Sequence, residues 1–205
     1  MVDAAIKAVP LICGRCSLRM TARKEQVVYQ CNGCGDAWEM VQGQIAPKKV
    51  FSLSGTGNIR LPFWSAGFRI ACQDGVIADT VSFMALCGSV KLPGERAKLP
   101  PELYVPAFFI PPQQAIRLGR NMTVRFSRFS ESANSNHRFE AVTLREIDVP
   151  QLAELIVLAA LVEGRRSNPE FLESFSVELS GLRLVTIPFS REEGRLYQAE
   201  MNLEV

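Results

Sequence analysis

Beyond residue 50 the apolar residues come in short runs punctuated by Gly and Pro, a pattern that favours strands over helices. Residues 50–53, 59–63, 67–72, 81–86 and 103–110 read as strands on this basis. A closing pair follows. Residues 182–189 are apolar almost throughout and predict a buried strand, whereas over 195–205 Tyr197, Ala199, Met201 and Leu203 alternate with polar neighbours as on a half-exposed one. Asp74-Gly75 reads as a hairpin turn between Cys72 and Val76. Helical spacing is confined to residues 112–120, opened by Pro112, residues 150–164, and a turn or two from Asn168-Pro169-Glu170 to Phe175. In the second of these Leu152, Leu155, Ile156 and Ala159 form one stripe and Gly164 stops the helix. Its apolar run covers residues 152–162 and contains Glu154, far short of the roughly 20 residues that a membrane span needs.

A proline-containing motif recurs. Leu61-Pro62-Phe63-Trp64 is followed by Ser65-Ala66-Gly67 and a strand beginning at Phe68; Ile187-Pro188-Phe189 is followed by a Gly-containing turn and a strand beginning at Leu196. Val105-Pro106-Ala107-Phe108 repeats the apolar-Pro step alone. Proline has no ladder donor, which predicts strand ends or edge strands at these places. Duplicated hairpins and shared turn chemistry account for the echo equally well.

The chain has 205 residues, 47% hydrophobic and 21% charged, which excludes disordered and fibrous classes. Residues 1–10 contain no basic stretch followed by an apolar run, so no export leader is expected and the protein reads as cytoplasmic. In a reducing compartment cysteines serve metals more often than disulfides. With a single His, His137, cysteine is the main source of metal ligands.

Four of the six cysteines form two pairs, Cys13-Gly14-Arg15-Cys16 and Cys31-Asn32-Gly33-Cys34, with fourteen residues between them. Two such pairs place four thiolates around one ion in the tetrahedral arrangement that suits Zn²⁺. Gly14, Gly33 and Gly35 offer permissive backbone for the tight turns. Leu18 and Met20 begin a hairpin, Val27-Val28-Tyr29 reads as its returning strand, and residues 38–45 as a third strand. This arrangement resembles the zinc-ribbon family over residues 10–46, and the resemblance implies a structural Zn²⁺ in a three-stranded ribbon. Rubredoxins hold iron in similar knuckles, usually with a longer interval and a Gly after both; here Ser17 follows the first. A thioredoxin-like reading of the first pair leaves the second unexplained. With the Leu61–Trp64 and Val105–Phe108 motifs, the chain also resembles a group of bacterial zinc-ribbon proteins, which implies architecture but no activity.

The expected fold is therefore α+β and strand-rich: a zinc ribbon over residues 1–46, a linker at Pro47-Lys48-Lys49, and a larger, mainly antiparallel β domain with a few helices over 47–205. So short a ribbon cannot bury enough apolar surface to fold without its metal.

Charge is unevenly spread beneath a formal total of +2. Residues 1–145 carry 18 basic and 10 acidic side chains, and residues 146–205 carry 5 and 11. The basic excess gathers at Arg15, Arg19, Arg23 and Lys24, and again between Arg117 and Arg145, where Arg125 and Arg128 flank Phe126. Arginine with aromatic rings is the material of single-strand recognition, but the same residues also make an ordinary strand with Phe126 inward and the arginines in water. Cys72 and Cys87 lie in apolar surroundings and read as buried thiols. No phosphate-cradling loop, nucleophile elbow or dinucleotide fingerprint is present, so nothing points to an enzyme. Two functions remain: a non-catalytic adaptor that binds a protein partner, or a nucleic-acid-binding protein using Arg15, Arg19, Arg23, Lys24, Arg125, Phe126 and Arg128. No membrane association is expected.

Overall fold

The computed structural model describes residues 9–72, 75–88, 100–124, 130–132, 137–163, 175–193, 195–199 and 203–204. The α+β, strand-rich expectation holds: a small antiparallel sheet near the N-terminus precedes a larger sheet flanked by helices.

The small sheet is built from β1 (Val28–Gln30), β2 (Ala37–Val41) and β3 (Gln44–Lys48) in that order. It differs from the expected ribbon at both ends. Residues around Leu18 and Met20 make only an isolated bridge, Ile12 to Arg19, because the tight knuckle consumes the segment before a strand can run. The single strand expected over 38–45 is a hairpin instead. Gln42 and Gly43 both have positive φ, 49° and 76°, the geometry of a two-residue turn whose twist suits the flanking strands. β3 then carries on through Pro47 and Lys48, and β4 (Val50–Ser52) starts one residue later. The expected linker is thus mostly strand.

Seven strands among the described residues form the large sheet. Its centre is the antiparallel pair β5 (Ile59–Cys72) and β8 (Ser176–Glu192). β6 (Gly75–Ile77) and β7 (Glu102–Pro106) pair antiparallel with β5; β4 pairs parallel with β8; β9 (Arg195–Gln198) and β10 (Leu203–Glu204) extend the β8 side. The closing strand expected over 195–205 is therefore divided in two.

Ser65-Ala66-Gly67 is no turn. β5 runs straight through it, and the irregularity lies in β8, where Gly181 at φ 63° supplies an extra residue opposite Ala66. The two proline motifs consequently have different settings, one inside a long strand and one before a real hairpin. Nor does either proline sit at an outer edge. The Pro62 carbonyl accepts from Ala107 N–H, so the Pro62 nitrogen also faces the β7 side, just past the strand's last paired residue, where no donor is needed. Pro188 faces the gap between the end of β4 and the start of β9. Each proline fills a break in a neighbouring ladder.

Residues 61–66 and 184–189 are buried without alternation because both faces of the sheet are covered. Trp64, Phe68 and Ile70 pack with α3 (Val149–Glu163), which contributes Val149, Ala153, Ile156 and Val157. Leu61, Phe63, Val185, Ile187 and Phe189 face the other way, with Leu118 and Met122 of α2 (Pro112–Val124). α2 also shields the outer edge of β7: the Thr123 hydroxyl accepts from Tyr104 N–H at 3.4 Å, and a Cβ on Gly119 would stand 2.4 Å from Ile156 Cδ1.

Residues 81–86, expected as a strand, form α1 (Thr80–Leu86). Asp79 caps it, accepting from Ser82 N–H at 2.9 Å and from the Ser82 hydroxyl at 2.7 Å. Thr80 and Phe83, three apart, are the buried face, and Phe83 meets Phe68 edge-on at 5.0 Å. Helices α2 and α3 appear where expected; the helical turn expected from Asn168 lies outside the described residues.

Candidate metal centre

The two cysteine pairs occupy matching turns. Cys13 C=O accepts from Ser17 N–H (2.9 Å) and Cys13 N–H donates to Leu18 C=O (2.9 Å). At the second turn Cys31 C=O accepts from Gly35 N–H (3.0 Å) and Cys31 N–H donates to Asp36 C=O (2.9 Å). In both, the fifth residue is left-handed: Ser17 at φ 60°, Gly35 at φ 81°. Of the three glycines expected to supply backbone freedom, only Gly35 does so. Gly14 and Gly33 are there for space. A Cβ on Gly14 would lie 2.5 Å from the Trp38 ring, and one on Gly33 would lie 2.2 Å from Leu18 Cδ1. Gly33 N–H points at Cys31 Sγ from 3.4 Å.

These turns bring the four sulfurs of Cys13, Cys16, Cys31 and Cys34 within 4.8 Å of one another. Cys13 Sγ lies 3.5 Å from Cys34 Sγ, and Cys16 Sγ 3.4 Å from Cys31 Sγ. A disulfide would need about 2.05 Å, and all four remain thiols. Four ligands at a Zn–S distance of about 2.3 Å sit about 3.8 Å apart, which falls inside the observed spread. The donor set thus fits a tetrahedral soft-metal site. Cys13 and Cys31 are buried, Cys34 is half-buried and Cys16 is exposed.

The electrostatics agree. Burial raises the Cys13 thiol, but the backbone N–H groups of Cys16 and Arg15 and the Cys34 thiol outweigh it and bring the pKa down to about 6. At Cys34 the backbone N–H of Asp36 acts downward, while burial and hydrogen bonds with the other three sulfurs push the value up to about 12. Cys31 is likewise shifted down and Cys16 up, so the four thiols are electrostatically linked, and a bound cation would favour ionising all of them.

Around the centre, Arg15 reaches across to Asp36 (3.1 Å) and ties one knuckle to the other. A cavity of about 450 Å³ beside them is lined by Arg15, Asp36, Trp38, Lys48, Lys49 and Phe139. Its cations are engaged: Lys48 with Glu39 (3.2 Å) and Glu146 (2.7 Å), Lys49 over the Phe51 ring at 4.4 Å. The Trp38 indole N–H is buried without a hydrogen-bond partner.

The lobe is fastened to the rest of the chain through its edge strand β1. Val28 bridges Val142 and enters the larger core, and Gln30 Nε2 donates to His137 C=O at 2.9 Å. The His137 ring is half-buried, and burial together with the Arg60 charge lowers its pKa. Cys87 caps the end of α1, where burial pushes its thiol up to about 12; Cys72 donates to Gly75 C=O at 3.3 Å.

The basic residues singled out by sequence have different surroundings where the structure describes them. Arg15 belongs to the metal knuckles, Arg19 is exposed at the bridge to Ile12, and Arg23 and Lys24 line a separate cavity of about 220 Å³. Arg125, Phe126 and Arg128 lie outside the described residues. The sequence reading did not single out Phe109 and Arg191, which line that second cavity. No helix among the described residues is long and apolar enough to cross a membrane. Compared with protein-family models, curated proteins and solved structures, the chain has no significant match.

Proposed function

We propose that this is a non-catalytic binding protein whose N-terminal lobe is a zinc ribbon, with Cys13, Cys16, Cys31 and Cys34 holding one structural Zn²⁺. The observation that carries the reading is the convergence of four thiol sulfurs within 4.8 Å on two turns of matching geometry. Four protein thiolates close the coordination shell, leaving no position for substrate, whereas catalytic zinc keeps one open. The ion's contribution is to cross-link the turns and hold their surface still. That surface carries Ile12 at 47% and Leu18 at 52% exposure, apolar side chains that suit docking onto a protein partner.

Native mass spectrometry of the purified chain tests the metal. One zinc per chain is expected, falling to none in a Cys16→Ser/Cys31→Ser variant. A chain that carries iron, or that binds neither ion, would refute the assignment. For the adaptor role, Leu18→Asp should abolish capture of partners that the wild-type chain retains; unchanged capture would move the partner surface elsewhere.

A further inference from the structure

The loop after β7 puts two consecutive phenylalanines to opposite uses. Phe108 turns inward and meets Phe63 edge-on, centroids 5.7 Å apart at 74°. Phe109 is 79% exposed, more than any other large apolar side chain among the described residues. The backbone beneath it is firmly held: Ala107 N–H donates to Pro62 C=O at 3.0 Å, and Ala107 C=O accepts from Thr143 (2.7 Å) and Leu144 (3.2 Å). An aromatic ring is thus displayed to solvent on a rigid support, where burial would have stabilised it by about 2 kcal/mol.

Charged groups from three distant parts of the chain gather beside it. The 220 Å³ cavity is lined by Phe108, Phe109, Arg23, Lys24, Arg191 and Glu140. Glu140 is shared, 3.6 Å from Arg23 and 3.5 Å from Arg191, whose side chains are 75% and 49% exposed. One carboxylate facing two guanidiniums and an ammonium leaves the lining with an excess of two positive charges. Arg191 is pre-positioned: Asn58 Oδ1 accepts from its N–H at 2.9 Å, and Asn58 Nδ2 donates to its C=O at 3.4 Å.

We infer that this cavity binds single-stranded nucleic acid, with a base stacked on Phe109 and its flanking phosphates held by Arg23, Lys24 and Arg191. Guanidinium groups suit phosphate oxygens, and an exposed ring suits a base of any sequence. A duplex offers no free base face, so the ring selects single strands. An acidic peptide would use the cations and leave Phe109 without a task. The inference rests on the binding-protein reading and is indifferent to which metal the knuckles hold.

Fluorescence anisotropy of the full chain as purified with labelled dT12, rU12 and a 12-base-pair duplex tests it. Three phosphate contacts predict single-strand affinity about 20-fold weaker at 200 mM than at 50 mM salt. Phe109→Ala should weaken single-strand binding about tenfold, and Phe109→Trp should preserve it; the side chain is exposed, so neither change disturbs the fold. Arg23→Glu/Arg191→Glu should abolish binding. No binding at 50 mM salt overturns the proposal, as does a Phe109→Ala variant within twofold of wild type, which would leave the cations as a phosphate site without base stacking. Metal content measured on the same sample separates the two readings: oligonucleotide binding without zinc sinks the zinc assignment alone.

Discussion

The small N-terminal lobe and the large sheet reach order by different physical means. In the lobe, strands of three, five and five residues surround a cluster whose fully buried members are Cys13, Met20 and Cys31. Two of those three are metal-ligand candidates, so the lobe has little core beyond the thiols themselves. In the large sheet, β5 and β8 run 14 and 17 residues, and Phe63, Trp64, Phe68 and Phe189 are completely enclosed. Coordination bonds concentrate stabilisation at one point, while apolar burial spreads it over dozens of contacts. The first is lost all at once and the second by degrees.

Removing the proposed zinc is the strongest way to break this comparison. Structural zinc contributes on the order of 10 kcal/mol to small modules. A chelator should abolish amide protection over residues 13–35 while residues 61–66 stay protected. Hydrogen exchange read by mass spectrometry checks this, and unchanged protection at 13–35 would mean the knuckles stand without an ion. The complementary change is Phe63→Ala. It empties a site bounded by the Phe108 and Phe189 rings and should cost about 4 kcal/mol in urea unfolding. Zinc stoichiometry below the unfolding midpoint should not change; a parallel loss of metal would show the two regions to be one cooperative unit.

The seam between them supplies a smaller effect. Lys48 at the end of β3 reaches Glu39 in β2 and Glu146 before α3, with its ammonium 4.8 Å from the Trp64 ring centroid. Burial acts to lower its pKa, but the hydrogen bonds it donates to Glu146 and Glu39 outweigh this and hold it above the ordinary lysine value. The folded state therefore favours the protonated lysine. Its contribution is complete below the unfolded-state pKa of about 10.4 and disappears as pH rises through the higher folded value. Lys48→Met should cost about 2 kcal/mol at neutral pH, less than a fully buried pair because both carboxylates regain water. Urea midpoints of the two proteins should converge at strongly alkaline pH; a gap that does not narrow would place the effect in packing instead.

The sequence made these regions legible to different degrees. Cysteine spacing announces the four-thiol cluster because residue identity and interval are the whole requirement. α3 was equally plain, its stripe and stop signals being local. Sequence and structure part company where two short-range signals compete. Residues 81–86 are apolar enough for a strand, and only Asp79 accepting from Ser82 reveals a helix start. Gln42-Gly43 is a weaker turn signal than Asn-Gly, so the sequence predicts one strand where a hairpin stands. Ser65-Ala66-Gly67 looks like a turn until β8 is set beside it with the bulge at Gly181. The cavity at Phe109 is illegible in the sequence, since residues 23, 109, 140 and 191 lie far apart along the chain and meet only in the fold.

The smallest effect tests the likeness of the two knuckles. Their hydrogen bonds correspond one for one, yet the left-handed fifth residue is Gly35 in one and Ser17 in the other. A residue with a Cβ loses roughly 1 kcal/mol in that conformation compared with glycine. Glycine's greater freedom when unfolded returns part of this. Ser17→Gly should therefore stabilise the lobe by about 0.5 kcal/mol, seen as slower zinc loss to a competing chelator, while Gly35→Ser should hasten it by a similar factor. The exchange Ser17→Gly/Gly35→Ser should leave the rate near wild type if the turns are equivalent. A double variant that loses zinc as fast as Gly35→Ser alone would show that the second knuckle governs release and that the correspondence ends at the backbone.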